Sequence, residues 1–143
     1  MVRILQGKLS YSDVLTILLK GNQDFSPTLT SLLDVKLYAK KLSVFADFML
    51  LEEASEFLGC IAYYKNSEGH FIYVSHCWVS HQLQGQGYGA LMLRKLREMT
   101  PISYYEIRLE VLKTNPAKLF YQKQGFHIKE DRGDKLLLSL KMK

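Results

Sequence analysis

The feature that most constrains the fold is a glycine-rich segment, residues 79–90, which joins a strand-like run to a helix-like run. Its glycines are Gly85, Gly87 and Gly89. Glycine lets the main chain approach a ligand closely and turn its N–H groups inward. The first turn of a helix adds unpaired N–H donors and the positive end of the helix dipole. The segment therefore predicts an anion site suited to phosphate, although a tight turn into a helix explains the glycines alone equally well.

Strand-like and helix-like patterns alternate along the rest of the chain. Runs rich in aromatic and branched residues predict seven strands: 2–6, 48–53, 57–64, 71–80, 104–112, 126–130 and 136–141. Apolar residues at helical spacing predict four helices: 13–20, 35–45, 88–99 and a segment between Asn115-Pro116 and Gly125. This order predicts one domain over residues 1–143 with a mixed α/β fold. Helices are expected to flank a central mixed, mostly antiparallel sheet.

Capping residues set the expected ends of the first two helices. Ser10 and Ser12 are candidate N-caps of the first helix, and Gly21 is expected to end it. A loop that contains Pro27 follows, and Asp34 is expected to cap the second helix. The apolar face of that helix is predicted to consist of Val35, Tyr38, Ala39, Leu42 and Phe45.

Other nucleotide-binding motifs explain the glycine-rich segment less well. A Walker loop needs Gly-Lys followed by Ser or Thr, and the segment has neither. A dinucleotide fingerprint is formally matched by Gly85, Gly87 and Ala90, with Glu110 at the spacing of the acidic residue. That fingerprint opens a doubly wound fold, however, and only residues 91–143 follow it. The strands before the segment also have the pattern of antiparallel neighbours.

Charge and cysteine content exclude several function classes. Lys and Arg total 19 against 14 Asp and Glu, which gives a net charge of +5. The basic residues are scattered, and their densest cluster is Arg94, Lys95 and Arg97, so a solvated surface is favoured over a nucleic-acid interface. Cys60 and Cys77 form no C-x-x-C pair, which argues against a metal site or a redox dithiol.

The sequence also predicts where the protein is located and what it does not bind. No apolar run reaches the roughly 18 residues that a membrane span needs. We expect a cytoplasmic protein that binds no metal, no nucleic acid and no membrane. Both a monomer and a homodimer remain open.

Two motifs in the second half of the chain resemble the GNAT superfamily of N-acetyltransferases. Gln84, Gly87 and Gly89 fit the family's loop signature, and Val79 stands where the family's fourth strand ends. The family's downstream block is matched by Glu110-Val111, Asn115, Ala117, Phe120-Tyr121 and Gly125-Phe126. The predicted element order matches the GNAT fold, β-α-α-β-β-β-α-β-α-β-β, across essentially the whole chain.

The resemblance implies acetyl-CoA as co-substrate, with its pyrophosphate on the glycine-rich segment. The implied coenzyme-binding residues are Trp78, Val79, Gln84, Gly85, Gln86, Gly87, Tyr88, Gly89, Ala90 and Asn115. Gln84 stands where many members have arginine, so this position offers no positive charge to a phosphate. Asn115 is equally well explained as an N-cap, and both roles are compatible. A main-chain N–H near Trp78 and Val79 is implied to stabilise the carbonyl oxygen.

The implied reaction is direct attack by an amine on the thioester. Tyr121 is the expected general acid, because a tyrosine with a pKa near 10 is protonated at neutral pH. A core aromatic is the alternative explanation, since Tyr121 shares a helical face with Phe120 and Ala117. Three residues are candidates for the general base or for acceptor contacts: Tyr73, Ser75 and Glu110. Strand alternation points His76 to the opposite face unless a bulge intervenes.

The acceptor is predicted to be a small amine, with an amino sugar as first choice. The expected wall of its site is aromatic and hydroxylic: Phe25, Tyr38, Tyr63, Tyr73 and Ser75. Residues 25–31 and 38–42 also resemble GNAT members associated with bacterial surface polysaccharides. A basic peptide would call for an acidic groove, which the net charge of +5 does not suggest. The alternatives are a peptide or protein acetyltransferase and a non-catalytic acyl-CoA-binding module.

Overall fold

A seven-stranded sheet forms the centre of the computed structural model, which describes residues 1–25 and 28–142. In chain order, the strands are β1 (Arg3–Gly7), β2 (Asp47–Glu53), β3 (Glu56–Asn66), β4 (Phe71–Val79), β5 (Glu106–Leu112), β6 (His127–Asp131) and β7 (Lys135–Lys141). Their order in the sheet is β1-β2-β3-β4-β5-β7-β6. Every neighbouring pair is antiparallel except β4 and β5, which confirms the predicted mixed, mostly antiparallel sheet.

Helices cover both faces of this sheet. They are α1 (Tyr11–Gly21), α2 (Leu29–Leu32), α3 (Val35–Phe45), α4 (Tyr88–Met99) and α5 (Ala117–Lys123). Side chains of α1, α2 and α3 form one buried cluster with the sheet, and those of α4 and α5 form the other. The four predicted helices are present. The one-turn α2 is additional and lies in the predicted loop, where Ser26 and Pro27 fall outside the described residues.

Caps and packing explain where these helices begin and end. Ser10 accepts from Asp13 N at 3.2 Å, and Asp34 accepts from the main-chain N–H groups of Lys36 and Leu37. Gly21 ends α1 as predicted, but its backbone is not left-handed. A Cβ there would lie 2.8 Å from the Trp78 indole, so this glycine lets α1 approach β4 closely.

Two side chains lie elsewhere than the sequence predicts. Phe45 is 65% exposed, because it lies in the last turn of α3 beyond the sheet-facing residues Ala39 and Leu42. Tyr63 was expected in the acceptor wall, but it packs in the cluster on the α4–α5 face. Its neighbour Ala62 lies in the α1–α3 cluster, as strand alternation requires.

A β-bulge at Ser75 reverses the side-chain alternation along β4. Ala62 stands opposite His76 and Tyr63 opposite Val74, so Ser75 has no partner on β3. Val74 therefore packs on the α4–α5 face, whereas Trp78 packs on the α1–α3 face. Uninterrupted alternation would have placed these even-numbered residues on the same face.

Candidate active site

The sheet opens between β4 and β5, the one parallel pair. Residues 71–73 of β4 pair with residues 106–108 of β5, and no pairing continues beyond them among the described residues. A cavity of about 470 Å³ occupies the opening. It is lined by side chains from both halves of the sheet, from the segment after α1 and from the start of α5. The opening therefore brings together residues that are far apart in the chain.

Main-chain groups at the end of β4 face this opening. Ser80 N donates to Leu58 O at 2.7 Å, which makes these two residues a hydrogen-bonded pair of the β3–β4 ladder. Bonded and non-bonded pairs alternate in an antiparallel ladder, so the N–H of Val79 points away from β3. Its carbonyl agrees with this direction, since it accepts from Gln84 Nε2 at 2.9 Å. By the same alternation, the N–H of Trp78 points towards β3.

The glycine-rich segment presents a row of free N–H groups. Gly85 and Gly87 have φ angles of 79° and 86°, and a side chain on either would project into open space. Gly87 precedes α4, whose first internal hydrogen bond runs from Leu91 N to Gly87 O. Within residues 1–25 and 28–142, no acceptor pairs with the N–H groups of residues 85–90. A row of free N–H groups at the start of a helix is an arrangement to which an anion can bind.

The polar side chains of this segment turn back onto their own main chain. Gln84 donates to Val79 O, and Gln86 Nε2 donates to Gln82 O at 3.1 Å. Both amides therefore shape the loop. Gly89 allows close packing, since a Cβ at this position would lie 3.1 Å from Phe120 Cζ. Tyr88 and Ala90 are half-buried in the first turn of α4.

Asn115 and Trp78 have structural roles at the edge of the cavity. Asn115 Oδ1 accepts from Ala117 N at 2.9 Å, which caps the start of α5 as predicted. Asn115 also lines the cavity. The Trp78 indole is 3% exposed and donates from Nε1 to Asp24 Oδ2 at 2.8 Å. The indole therefore anchors the segment after α1 to β4.

Tyr121 lies in the cavity wall and in the core at once. It is 7% exposed and packs against Phe126 with ring centroids 5.6 Å apart. Burial, together with the neighbouring Cys77 thiol, raises the pKa of Tyr121 well above its ordinary value. Tyr121 is thus protonated at any pH at which the protein would be assayed. Sequence reasoning missed Cys77 as a neighbour of Tyr121, because the bulge determines which way Cys77 points.

Tyr73 and Glu110 meet across the β4–β5 boundary. The Tyr73 hydroxyl donates to Glu110 Oε1 at 3.4 Å, and Arg132 Nη1 donates to Glu110 Oε2 at 2.9 Å. Burial and the adjacent Glu110 carboxylate raise the pKa of Tyr73 to about 12. The arrangement connects a cavity hydroxyl with a carboxylate that is partly open to solvent.

The bulge places both Ser75 and His76 on the cavity side of β4. The Tyr38 hydroxyl donates to Ser75 O at 2.9 Å and lies 2.7 Å from Ser75 Oγ, so α3 holds the bulge. His76 packs against Phe25 with ring centroids 5.2 Å apart, and its Nε2 has no partner among the described residues. Burial lowers the pKa of His76 to about 4. His76 is therefore neutral at pH 7.

Two further observations bear on possible ligands. Among the described residues, no group of three or more His, Cys, Asp or Glu side chains could hold a metal ion. None of the helices in this part of the chain is both long and apolar enough to cross a membrane.

A family model for the acetyltransferase (GNAT) domain matches residues 45–128, more than half of the chain. No curated protein sequence matches the chain. Solved structures do match at the level of fold. The PaiA N-acetyltransferase of Thermoplasma acidophilum, in complex with coenzyme A, is 17% identical with a TM-score of 0.74, over 97% of this chain and 99% of that one.

Two other solved structures are similar over nearly their whole length. An acetyltransferase of the GNAT family from Staphylococcus aureus Mu50 is 16% identical with a TM-score of 0.77, over 100% of both chains. The ribosomal-protein-S18-alanine N-acetyltransferase of Escherichia coli is 16% identical with a TM-score of 0.74, over 99% of this chain and 94% of that one. These likenesses show the GNAT fold. With the family match, they confirm the resemblance read from the sequence: the chain belongs to the GNAT acetyltransferase family and is an acetyl-CoA-dependent N-acetyltransferase.

Proposed function

We propose that this chain acetylates the primary amine of a small acceptor bound in the cavity between β4 and β5. The observation that carries the proposal is the arrangement of three features at this cavity. They are the Val79 main chain, the hydroxyl-rich wall around the bulge, and Gln84, which leads from the cavity into the row of free N–H groups of residues 85–90. Each feature would serve a different part of the reaction. An amino sugar remains our first choice of acceptor.

The glycine-rich segment supplies the coenzyme's pyrophosphate site in this proposal. The free N–H groups of residues 85–90 and the positive end of the α4 dipole favour a phosphate there. The side chains of Gln84 and Gln86 shape the loop, so main-chain donors make most of the contacts. Asn115, at the other rim of the opening, would contact the pantetheine arm or the diphosphate.

The catalytic groups then have distinct tasks. Acetyl-CoA supplies the acetyl group as a thioester. The Val79 N–H lies at the opening and would stabilise negative charge on the carbonyl oxygen. Tyr121 would donate its proton to the departing thiolate sulfur as the carbon–sulfur bond breaks. Its raised pKa keeps the proton available until the thiolate forms.

Glu110 would receive the proton that the attacking amine loses. The Tyr73 hydroxyl, which already donates to Glu110, would pass the proton from the amine to the carboxylate. Ser75 lies beside this route and is a candidate contact for the acceptor. Because an alkylamine has a pKa near 10, such a route is needed at neutral pH.

The residues of the proposed acceptor wall favour a small polar molecule as the acceptor. Phe25, Tyr38, Tyr73 and Ser75 line one cavity, which offers aromatic faces for a sugar ring and hydroxyls for its polar groups. A protein substrate is the specific alternative, because the E. coli neighbour acts on ribosomal protein S18. A non-catalytic acyl-CoA-binding module is the other alternative.

Release of free coenzyme A from acetyl-CoA tests the proposal with four acceptor classes: amino sugars, polyamines, aminoglycosides and lysine peptides. We expect the highest kcat/KM for an amino sugar or another small amine. A lysine-rich peptide that outperforms every small amine would make the chain a peptide acetyltransferase. Binding of acetyl-CoA without turnover of any acceptor would favour the non-catalytic module.

A further inference from the structure

A second, more open groove continues from the catalytic cavity across the face of the sheet. It has a volume of about 650 Å³. The residues that line both the groove and the cavity are Leu33, Tyr38, Tyr73, Ser75, Glu110 and Lys135. Two cationic side chains line it, Lys41 of α3 and Lys135 at the start of β7. An acceptor whose amine lies near Tyr73 would extend along this groove.

The positive charge of the groove is not neutralised by the protein. Neither Lys41 nor Lys135 forms an ion pair with any residue in 1–25 or 28–142. The Lys41 ammonium lies 5.8 Å from the centre of the Tyr64 ring. Glu110 is the one carboxylate in the lining, and it already pairs with Arg132 at 2.9 Å. Two positive charges are therefore left for a ligand.

A negatively charged side chain lines the cavity but not the groove. Asp24 lines the cavity beside Trp78, whose indole N–H donates to Asp24 Oδ2, and no described cation pairs with its carboxylate. Asp24 lines the cavity but not the open groove, Lys41 lines the groove but not the cavity, and Lys135 lines both. This polarity would orient an ammonium group towards the cavity and an anionic group towards the groove.

We propose that the acceptor carries a phosphate or carboxylate in addition to its amine, and that Lys41 and Lys135 bind this anionic group. The inference rests on the proposed function, because it assigns the chemistry of the acceptor at that same site. It favours an amino-sugar phosphate or an amino acid, and it disfavours polyamines and aminoglycosides, which carry only positive charge.

Matched acceptor pairs test the inference with the 143-residue chain. Glucosamine is compared with glucosamine 6-phosphate, and an amino acid amide with the free amino acid, so that the two arms separate phosphate from carboxylate. For each pair we measure kcat/KM, and also the affinity for the enzyme–CoA complex by calorimetry. We expect at least one anionic member to be preferred by tenfold or more.

Substitution of each lysine tests whether Lys41 and Lys135 cause the preference for the anionic acceptor. Lys41→Gln and Lys135→Gln should each reduce the preference by roughly fivefold to tenfold, because a charge-assisted hydrogen bond is lost from a partly exposed site. Turnover of the neutral partner should fall less than turnover of the anionic partner. Lys40→Gln is the matched control, since Lys40 lies beside Lys41 on α3 but does not line the groove. Lys41→Arg should retain the preference.

The outcomes separate this inference from the proposed function. Equal kcat/KM for both members of each pair would overturn the anionic acceptor and leave small-amine acetylation intact. A preference that persists in both Lys→Gln variants would also overturn it. Tight, lysine-dependent binding of the anionic member without acetylation would retain the anion site and refute the proposed function. Absence of both turnover and preferential binding would refute both.

Discussion

Tyr121 has two explanations at the scale of a single residue, and the structure supports both. Its ring packs between Phe120 and Phe126, as a core aromatic would, while its side chain also lines the cavity. A residue that only packs would tolerate loss of its hydroxyl, whereas a general acid would not. Replacement by phenylalanine separates the two roles, because it keeps the ring and removes the proton.

Tyr121→Phe is expected to lower kcat by roughly 10²–10⁴-fold and to change the coenzyme KM much less, because positioned acid catalysis acts on the chemical step. Tyr105→Phe is the control, since Tyr105 is 60% exposed and does not line the cavity. Pre-steady-state measurement of coenzyme A release shows whether chemistry limits the rate. If it does and kcat changes less than about threefold, Tyr121 is a packing residue.

At the scale of an element, the glycine-rich segment and the first turn of α4 are the proposed coenzyme site. The left-handed backbone at Gly87 makes most substitutions strained, so a side chain that tolerates this backbone is needed. Asparagine is the suitable choice, because it adopts left-handed conformations more readily than other non-glycine residues. Its side chain would occupy the open space in front of the free N–H groups.

Gly87→Asn is expected to weaken binding of coenzyme A by at least tenfold, because the added side chain competes with the pyrophosphate. Gly133→Asn is the matched control: Gly133 has a φ of 92°, is equally uncrowded and lies between β6 and β7. Calorimetric titration measures the affinity of each variant for coenzyme A. Thermal unfolding monitors the backbone strain that asparagine causes in both variants. Equal affinities for the two variants would place the pyrophosphate elsewhere.

Local patterns were sufficient to predict most elements, because caps and apolar periodicity act over a few residues. Ser10, Asp34 and Asn115 accept main-chain hydrogen bonds at or beside the helix starts that the sequence indicated. The helix predicted over residues 88–99 from the spacing of its apolar residues is α4, and its Met92, Leu93 and Leu96 are buried. These features depend on spacing along the chain, which the sequence displays directly.

Which side chains of β4 face the cavity could not be predicted from such local patterns. A bulge depends on pairing between two strands, so nothing near Ser75 in the sequence shows that β4 has one more residue than β3 at this point. The bulge brings His76 into the cavity wall and turns Cys77 towards Tyr121. Likewise, the tight contact of Gly21 with Trp78 joins residues distant in sequence.

At the scale of the whole molecule, the site depends on both halves of the sheet. α1, α2 and α3 cover one face of β1 to β4. β2 to β5 and β7 all contribute to the core beneath α4 and α5 on the other face. The cavity lies where the two halves separate, and His76 is buried on its α1–α3 side. Protonation of His76 would therefore place a charge in the packed interior and oppose folding.

The free energy of unfolding should therefore decrease as the pH falls and His76 becomes protonated. The pKa of His76 falls from 6.5 to about 4 on folding because burial disfavours the charged form, so the folded protein binds this proton less readily than the unfolded chain. The contribution of His76 to stability is complete above pH 6.5 and is lost as the pH falls towards 4. The loss should amount to about 2–3 kcal/mol between pH 7.5 and 4.5.

Glu106 affects the free energy of unfolding at a lower pH than His76 does, so the contributions of the two residues can be separated. Burial opposes its ionisation, but hydrogen bonds from Lys129, Ser139 and Arg108 outweigh burial and lower its pKa from 4.5 to about 2. Its stabilising contribution is therefore complete above pH 4.5 and is lost below that value. Loss of stability between pH 6.5 and 4.5 consequently tests His76 rather than Glu106.

Urea unfolding of the His76→Phe variant provides the measurement. Phenylalanine fills a similar volume beside Phe25 and Tyr38 and cannot bind a proton, so the free energy of unfolding should vary much less between pH 7.5 and 4.5 than in the parent. His127→Gln is the control, because His127 is exposed and its replacement should leave the parent's pH dependence unchanged. The same slope in His76→Phe as in the parent would show that another group binds the proton. Since the slope and not the absolute stability is compared, any packing change caused by the phenylalanine does not affect the conclusion.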